Sequence, residues 1–325
     1  MRAPEFWQHD NTLARLLTPA GLLYHLAGVL RRAVVRPQRA AVPVICVGNL
    51  VAGGAGKTPV VLSLLALLQE KGMRAAALTR GYGGSEAGPL QVEPGRHDAA
   101  MVGDEALLLA ALAPTWVARN RAAGAAAAAA AGAQVIVMDD GFQNPGLHKD
   151  LALLVIDTDY GLGNRRVIPA GPLRERAAAG LARADGVVLL GEAYIGETEK
   201  NLIGDLPQLR ARLTPRRPDL AGQRVYAFAG IGRPEKFFAT LEALDAQVVG
   251  REAFADHAPY DPATLARLAA TAEAAGARLV TTAKDAVRLG PAAGVTVLDV
   301  DLAWDDKEAL LRLLEPVIGN HTAPA

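Results

Sequence analysis

From residue 42 onward, apolar residues fall into short unbroken runs separated by longer stretches in which they recur every three or four positions. The runs at 42–47, 75–78, 116–118, 135–138, 151–156 and 187–190 predict buried strands, and the stretches at 59–70, 104–113 and 122–131 predict helices. Pro59 suits a first helical turn, where its missing N–H costs little. The alanines of 122–131 favour a crossover helix, because alanine is the strongest helix former. A second, shorter alternation follows residue 200, with strands at 225–229, 246–249, 278–281 and 295–298 and helices at 235–244, 262–275 and 306–318. The expected fold class is α/β, a mostly parallel sheet covered by helices with a second, smaller α/β domain. The expected division is an amphipathic helical segment over 1–40, a nucleotide-binding domain over 41–205 and a smaller C-terminal domain over 206–325, with 214–218 as a hinge.

The segment 16–35 has a different pattern. Leu22, Leu23, Leu26, Val29, Leu30, Ala33 and Val34 share one helical face, and Arg31, Arg32, Arg36 and Arg39 gather at its far end. Pro19, His25, Arg31 and Arg32 interrupt the apolar stretch, so it reads neither as a membrane span nor as a signal peptide. Two readings stay open: a helix lying in a membrane interface with its arginines on lipid phosphates, or one packed on its own domain.

Composition narrows the partners. Lysines and arginines number 34, matched by 34 aspartates and glutamates, and no sustained basic patch occurs, so a nucleic-acid partner is not expected. The lone cysteine, Cys46, lies in an apolar run; it reads as inert core and fits a reducing compartment.

The chemistry begins after the first strand. Val51-Ala52-Gly53-Gly54-Ala55-Gly56-Lys57-Thr58 sits between strand and helix, the arrangement that binds nucleotide phosphates. Glycines let backbone N–H groups turn inward, Lys57 supplies a point charge, Thr58 offers a hydroxyl to Mg²⁺, and the helix N-terminus adds partial positive charge. Val51 stands where the usual loop begins with glycine, which makes this similar to the glycine-doubled loops of partitioning ATPases and metal-insertion GTPases. With that P-loop upstream, Asp139-Asp140 at the end of 135–138 fits the acidic step that holds Mg²⁺ or its water shell. The fold expected is therefore P-loop NTPase-like, with ATP and Mg²⁺ as cofactors.

Several further strings occur in order: Gly48-Asn49, Thr79-Arg80-Gly81-Tyr82-Gly83-Gly84, Val102-Gly103-Asp104-Glu105, Asp139-Asp140-Gly141-Phe142-Gln143, Pro169-Ala170-Gly171-Pro172-Leu173-Arg174-Glu175, Asp256-His257 and Thr281-Thr282-Ala283-Lys284-Asp285. Together with the glycine loop, this series resembles the tetraacyldisaccharide 4′-kinase family of lipid A biosynthesis over nearly the whole chain. The resemblance implies transfer of the ATP γ-phosphate to the 4′-hydroxyl of tetraacyldisaccharide 1-phosphate, a lipid-linked substrate. It also implies a peripheral protein on the cytoplasmic face of the bacterial inner membrane, held there by its N-terminal helix. Position by position, it implies that Asp104 is the base and that His257 orients it, that Asp139 and Asp140 lie at metal and substrate, and that Glu175 reaches Mg²⁺ beside Arg174. Asn49, Arg80, Arg121 and Arg174 are candidates for substrate contact, although Arg80 and Arg121 read equally well as solvated or salt-bridged arginines. The family pattern often has histidine where this chain has Ala258 and Asn144, and glutamate where it has Ala283.

Two rivals differ in class. A P-loop ATPase switch acting on a protein partner predicts, in its metal-handling form, Cys/His clusters that this chain lacks. In its GTP form it predicts a base reader that Thr282-Ala283-Lys284-Asp285 matches only loosely. A membrane adaptor using ATP structurally is the second rival. The kinase reading, unlike the switch, calls for no obligate protein partner.

Overall fold

The computed structural model describes residues 4–54, 56–216, 219–289 and 294–319. Ala55 of the glycine loop and Arg217 and Pro218 of the expected hinge lie outside these residues.

Among the described residues thirteen strands build two sheets: β1 Val44–Gly48, β2 Ala75–Thr79, β3 Leu90–Gln91, β4 Thr115–Val117, β5 Val135–Asp139, β6 Leu151–Asp157, β7 Gly186–Leu190, β8 Gln208–Pro215, β9 Arg224–Ala229, β10 Gln247–Ala253, β11 Arg278–Thr282, β12 Val295–Leu298 and β13 Val300–Trp304. The larger sheet runs β13-β8-β7-β6-β1-β5-β2-β4-β3. Its interior pairs are parallel, and only the edge pairs β13–β8 and β3–β4 are antiparallel. The smaller sheet, β10-β9-β11-β12, is parallel throughout.

The central strands are buried on both faces, which is why they read as continuous apolar runs. Alternate residues of β1 feed different cores. Val44 and Cys46 join the layer under the alanine helix Arg121–Ala130, while Ile45 and Val47 join the layer under the helix Lys57–Glu70. Burial pushes the Cys46 thiol up to about 12, in keeping with an inert core residue.

The sheets do not part at the expected boundary between residues 205 and 206. β8 and β13 both belong to the larger sheet, and Leu310, Leu314 and Val317 of the last helix, Lys307–Ile318, pack in the core of the phosphate-loop helix. Trp304 Nε1 donates to Ser63 Oγ at 2.8 Å, and Lys307 pairs with Glu70 at 3.0 Å, fixing the chain's end to that helix. One residue, Asp299, separates β12 in the small sheet from β13 in the large one. The smaller sheet is thus an excursion from the larger one that leaves after β8 and returns at β13.

The N-terminal helix Thr12–Val34 is continuous through Pro19, and its length and hydropathy are sufficient to cross a membrane, contrary to the reading of an interrupted stretch. Its docked face is not the apolar one. Ala14 and Gly21 are its buried residues, and a Cβ on Gly21 would lie 2.6 Å from the carbonyl oxygen of Val167. Thr18 accepts from Arg166, the His25 ring accepts from the backbone N–H of Arg176 at 3.4 Å, and Arg32 pairs with Glu175 at 3.4 Å. Burial, then the charges of Arg32 and Arg176, hold the His25 ring below the usual histidine range. Leu16, Leu22, Leu23, Leu26, Leu30 and Val34 are exposed.

Candidate functional site

The C-terminal ends of β1, β5 and β2 converge where the chain crosses from one side of β1 to the other, the place at which open α/β sheets bind ligands. β1 leads into the glycine loop. Gly56, the N-cap of the phosphate-loop helix, has φ +73°, a left-handed conformation that favours glycine, and a Cβ there would displace the Leu190 Cδ2 methyl. Lys57 opens the helix, with its ammonium 3.2 Å from Asn49 Oδ1 and 3.5 Å from Asp140 Oδ1.

Not every loop residue expected at the nucleotide is placed to bind it. Val51 is buried and bridges Leu173, and the Ala52 N–H is spent on the carbonyl of Pro172 at 2.7 Å. These two residues anchor the base of the loop. Gly53 and Gly54 are exposed at its tip. Asn49 is fully buried, and its Oδ1 accepts from the Lys57 ammonium.

The acidic pair at the end of β5 divides into two environments. Burial raises the Asp139 carboxyl to about 7, with Asp140 and Glu105 adding to the rise while Lys57 and Arg121 oppose it. Its Oδ1 is buried and has no hydrogen-bond partner among the described residues. For Asp140, burial works in the same direction but Lys57 and Arg174 outweigh it, and the carboxyl lies below the usual range. Arg174 donates to Asp140 at 2.8 Å. Asp140 adopts φ +49°, a left-handed conformation that aspartate tolerates better than most residues.

The unsatisfied Asp139 oxygen tests the expectation of Mg²⁺. Among the described residues no group of three or more His, Cys, Asp and Glu could hold a metal unaided. Mg²⁺ is commonly held by one or two carboxylates plus substrate phosphates, and Asp139 with the Thr58 hydroxyl fits that donor set. Glu175 does not. Arg183 donates to both of its oxygens, at 2.8 and 2.9 Å, Gln143 adds a contact at 3.3 Å, and the side chain is 2% exposed. It is the buried counter-charge of Arg183 and Arg32, not an open ligand.

Arg121, at the start of its helix, is 4% exposed, and its Nε has no partner among the described residues. Burial lowers it to about 10, Arg80 adds to the fall, and Asp140 and Asp139 oppose it. Arg80 is exposed beside it. Arg121 thus lies within electrostatic reach of both Arg80 and the acidic pair.

Across this cleft stands the second unit. Asp104 begins the helix Asp104–Ala110, after Gly103 with φ +84°, where a Cβ would collide with the carbonyl of Tyr82. Asp104 is buried, and its Oδ2 lies 2.9 Å from His257 Nδ1 and 3.3 Å from Arg288 Nε. His257 occupies a left-handed backbone conformation at φ +61°, pinned by its own N–H on Gly230. Arg288 is fixed by Asp285, by the carbonyl of Gly230 at 2.9 Å and by that of Ala258 at 2.8 Å. Asp285 is itself fully buried and takes Gly230 N–H and Tyr260 O–H, so Thr281–Asp285 serves the framework and cannot read a base.

Sequence reasoning passed over several of these groups. Arg288 and Lys284 lie four residues apart on one face of the helix Ala283–Leu289; the Thr-Thr-x-Lys-Asp string contains Lys284 but stops short of Arg288. Arg233 donates to the carbonyl of Gly54 at 2.8 Å and pairs with Asp157 at 2.9 Å, tying the small unit to the loop tip. No local signal marks that contact, because the partners are 179 residues apart.

The geometry can be compared with known proteins. The profile of the LpxK family, described as tetraacyldisaccharide-1-P 4′-kinase, matches residues 13–318. A protein of Rhodospirillum centenum named tetraacyldisaccharide 4′-kinase is 58% identical, with 98% of each chain covered. One of the same name from Rhodospirillum rubrum is 52% identical over 98% of each chain. Among solved structures, LpxK from Aquifex aeolicus in complex with ATP is similar with a TM-score of 0.76 and 28% identity, covering 94% of this chain and 99% of that one. The chain therefore belongs to the tetraacyldisaccharide 4′-kinase family.

Proposed function

We propose that this chain transfers the γ-phosphate of ATP to the 4′-hydroxyl of tetraacyldisaccharide 1-phosphate. The observation that carries this reading is the contact between Asp104 and His257, a candidate base held from the second unit in the same cleft as a P-loop lysine.

Lys57 and the N-terminus of its helix meet the phosphates, neutralising charge that spreads over the transferring group. Asn49 and Asp140 keep the ammonium aimed there before nucleotide arrives. Bound Mg²⁺, held by Asp139 and Thr58, would supply further charge stabilisation. Arg121, whose Nε lacks a partner among the described residues, and Arg80, which couples to it electrostatically, are candidates for either the transferring phosphate or the substrate's own 1-phosphate. Asp104 accepts the hydroxyl proton. Because an alcohol is a far weaker acid than a carboxylic acid, that transfer helps only late, as the oxygen bonds to phosphorus in a loose transition state. His257 and Arg288 orient the carboxylate.

The lipid acceptor explains the exposed apolar face of the N-terminal helix. With its small and polar face tied to 166–176, that helix lies along the domain and offers Leu16, Leu23, Leu26 and Leu30 to a bilayer. We assign it to the cytoplasmic face of the bacterial inner membrane, where ATP is available. ATP consumption with and without the lipid acceptor tests the reading against a nucleotide switch. The kinase predicts ATP consumption that rises with acceptor as phosphate passes to the lipid, whereas equal turnover without any lipid favours the switch.

A further inference from the structure

Three acceptors surround one ammonium at the junction of the two units. Lys284 Nζ lies 3.0 Å from Glu105 Oε1, 3.4 Å from Asp256 Oδ1 and 3.3 Å from His257 Nε2. Burial disfavours the lysine's charge, but Glu105, Asp256 and Asp104 more than compensate and raise its pKa. The group is therefore an ammonium, which has three N–H donors and no acceptor.

That chemistry decides the histidine's proton. Two groups face Nε2: the Lys284 ammonium at 3.3 Å, which only donates, and Asp256 Oδ1 at 3.7 Å, beyond hydrogen-bond reach. The nearer ammonium makes Nε2 the acceptor, so the ring proton resides on Nδ1 and points at Asp104 Oδ2, 2.9 Å away. The neutral imidazole of free histidine has no such constraint. Tyr82 packs on the ring with centroids 5.5 Å apart, and the left-handed backbone at 257 sets its height in the cleft. With Oδ2 occupied by Nδ1–H and by Arg288 Nε, Asp104 Oδ1 is the oxygen left for a substrate proton.

Resting on the kinase reading above, we infer that Lys284 is a positioning residue, which fixes His257 as the Nδ1–H tautomer and so dedicates Asp104 Oδ1 to the acceptor hydroxyl. It also couples the two units, because Glu105 belongs to the helix of Asp104 whereas Asp256 and His257 belong to the small unit. Lys284 is 24% exposed, so its replacement leaves no large void.

Methionine and arginine separate this role from packing. Lys284→Met keeps the apolar length and removes the donors, whereas Lys284→Arg keeps a donor-only cation. Phosphate transfer by the full chain is expected to lose about 10–100-fold in kcat in Lys284→Met with KM for ATP unchanged, and to recover most of that in Lys284→Arg. Nitrogen-15 spectra of the histidine rings should assign a protonated Nδ1 and a bare Nε2 to His257 in the unmodified chain and in Lys284→Arg. The single-tautomer pattern should be lost in Lys284→Met. Protonated Nε2 in the unmodified chain, or a Lys284→Met variant with full kcat, overturns the assignment. The ring spectra require no turnover, so an unmodified chain that shows protonated Nδ1 yet transfers no phosphate counts against the kinase reading and not against the tautomer.

Discussion

Asp139 and Asp140 are adjacent carboxylates with opposite fates, and the difference is a matter of where each side chain lands. Asp139 ends a strand and turns into the buried layer, whereas Asp140 leaves it in a left-handed turn and meets Lys57 and Arg174. Raised to about 7, Asp139 favours its protonated form in the folded chain. Its contribution to stability is fully present below the ordinary carboxylate range near 4 and is lost as pH rises toward 7, a penalty of order 4 kcal/mol at most. Asp139→Asn should therefore raise the melting temperature of the nucleotide-free protein at pH 8, do little at pH 4, and depress transfer. Thermal scans at the two pH values check this; equal shifts at both would remove burial of the charge as the cause. Asp104→Ala belongs to the same scale. It should lower kcat by about 10²–10⁴-fold with little change in KM for ATP, as measured by steady-state kinetics, and a change confined to KM would take Asp104 out of the base role. Lys57, Asp140, Asp104 and His257 were legible as candidates because their motifs carry their own chemistry, and the structure brings Lys57 to Asp140 and Asp104 to His257. The pairing of Glu175 with Arg183 and Arg32 was not legible, because nothing local announces those partners.

Elements with unbroken apolar runs were legible because both faces of the sheet are covered. β8 and β13 were not. In β8, Leu209 and Ala211 are buried, Arg210 between them only partly so and residues 212–214 exposed, a pattern near the sheet's edge that a search for continuous runs passes over. β13 follows β12 after a single residue, so a pattern read along the chain merges the two, although they belong to different sheets. The N-terminal helix shows the converse. Its apolar face was legible, but which face docks was not, since docking depends on Gly21 admitting the Val167 carbonyl and on arginine and histidine contacts with distant residues. Leu23→Glu combined with Leu26→Glu and Leu30→Glu should abolish co-flotation with anionic liposomes while leaving the melting temperature within a few degrees. A large loss of stability would mean that this face packs within the protein.

At the scale of the molecule, the small unit contributes directly to the site in the large one. His257 and Arg288 reach Asp104, Lys284 reaches Glu105, and Arg233 reaches the loop tip at Gly54, so the phosphate loop and the base are joined from outside the sheet that bears them. Such an arrangement suits transfer to an alcohol, since a closed cleft keeps water from competing for the phosphate. The order of motifs made the two-unit chemistry legible; the return of the chain to the large sheet was not, because it depends on pairing between residues about 90 positions apart, as in Ala211 with Trp304. The most direct measurement is transfer of label from γ-labelled ATP to tetraacyldisaccharide 1-phosphate in mixed micelles, with and without Mg²⁺. Label in a lipid product that depends on Mg²⁺ and disappears in Lys57→Ala is the predicted result. ATP consumption that leaves the lipid unlabelled would contradict it.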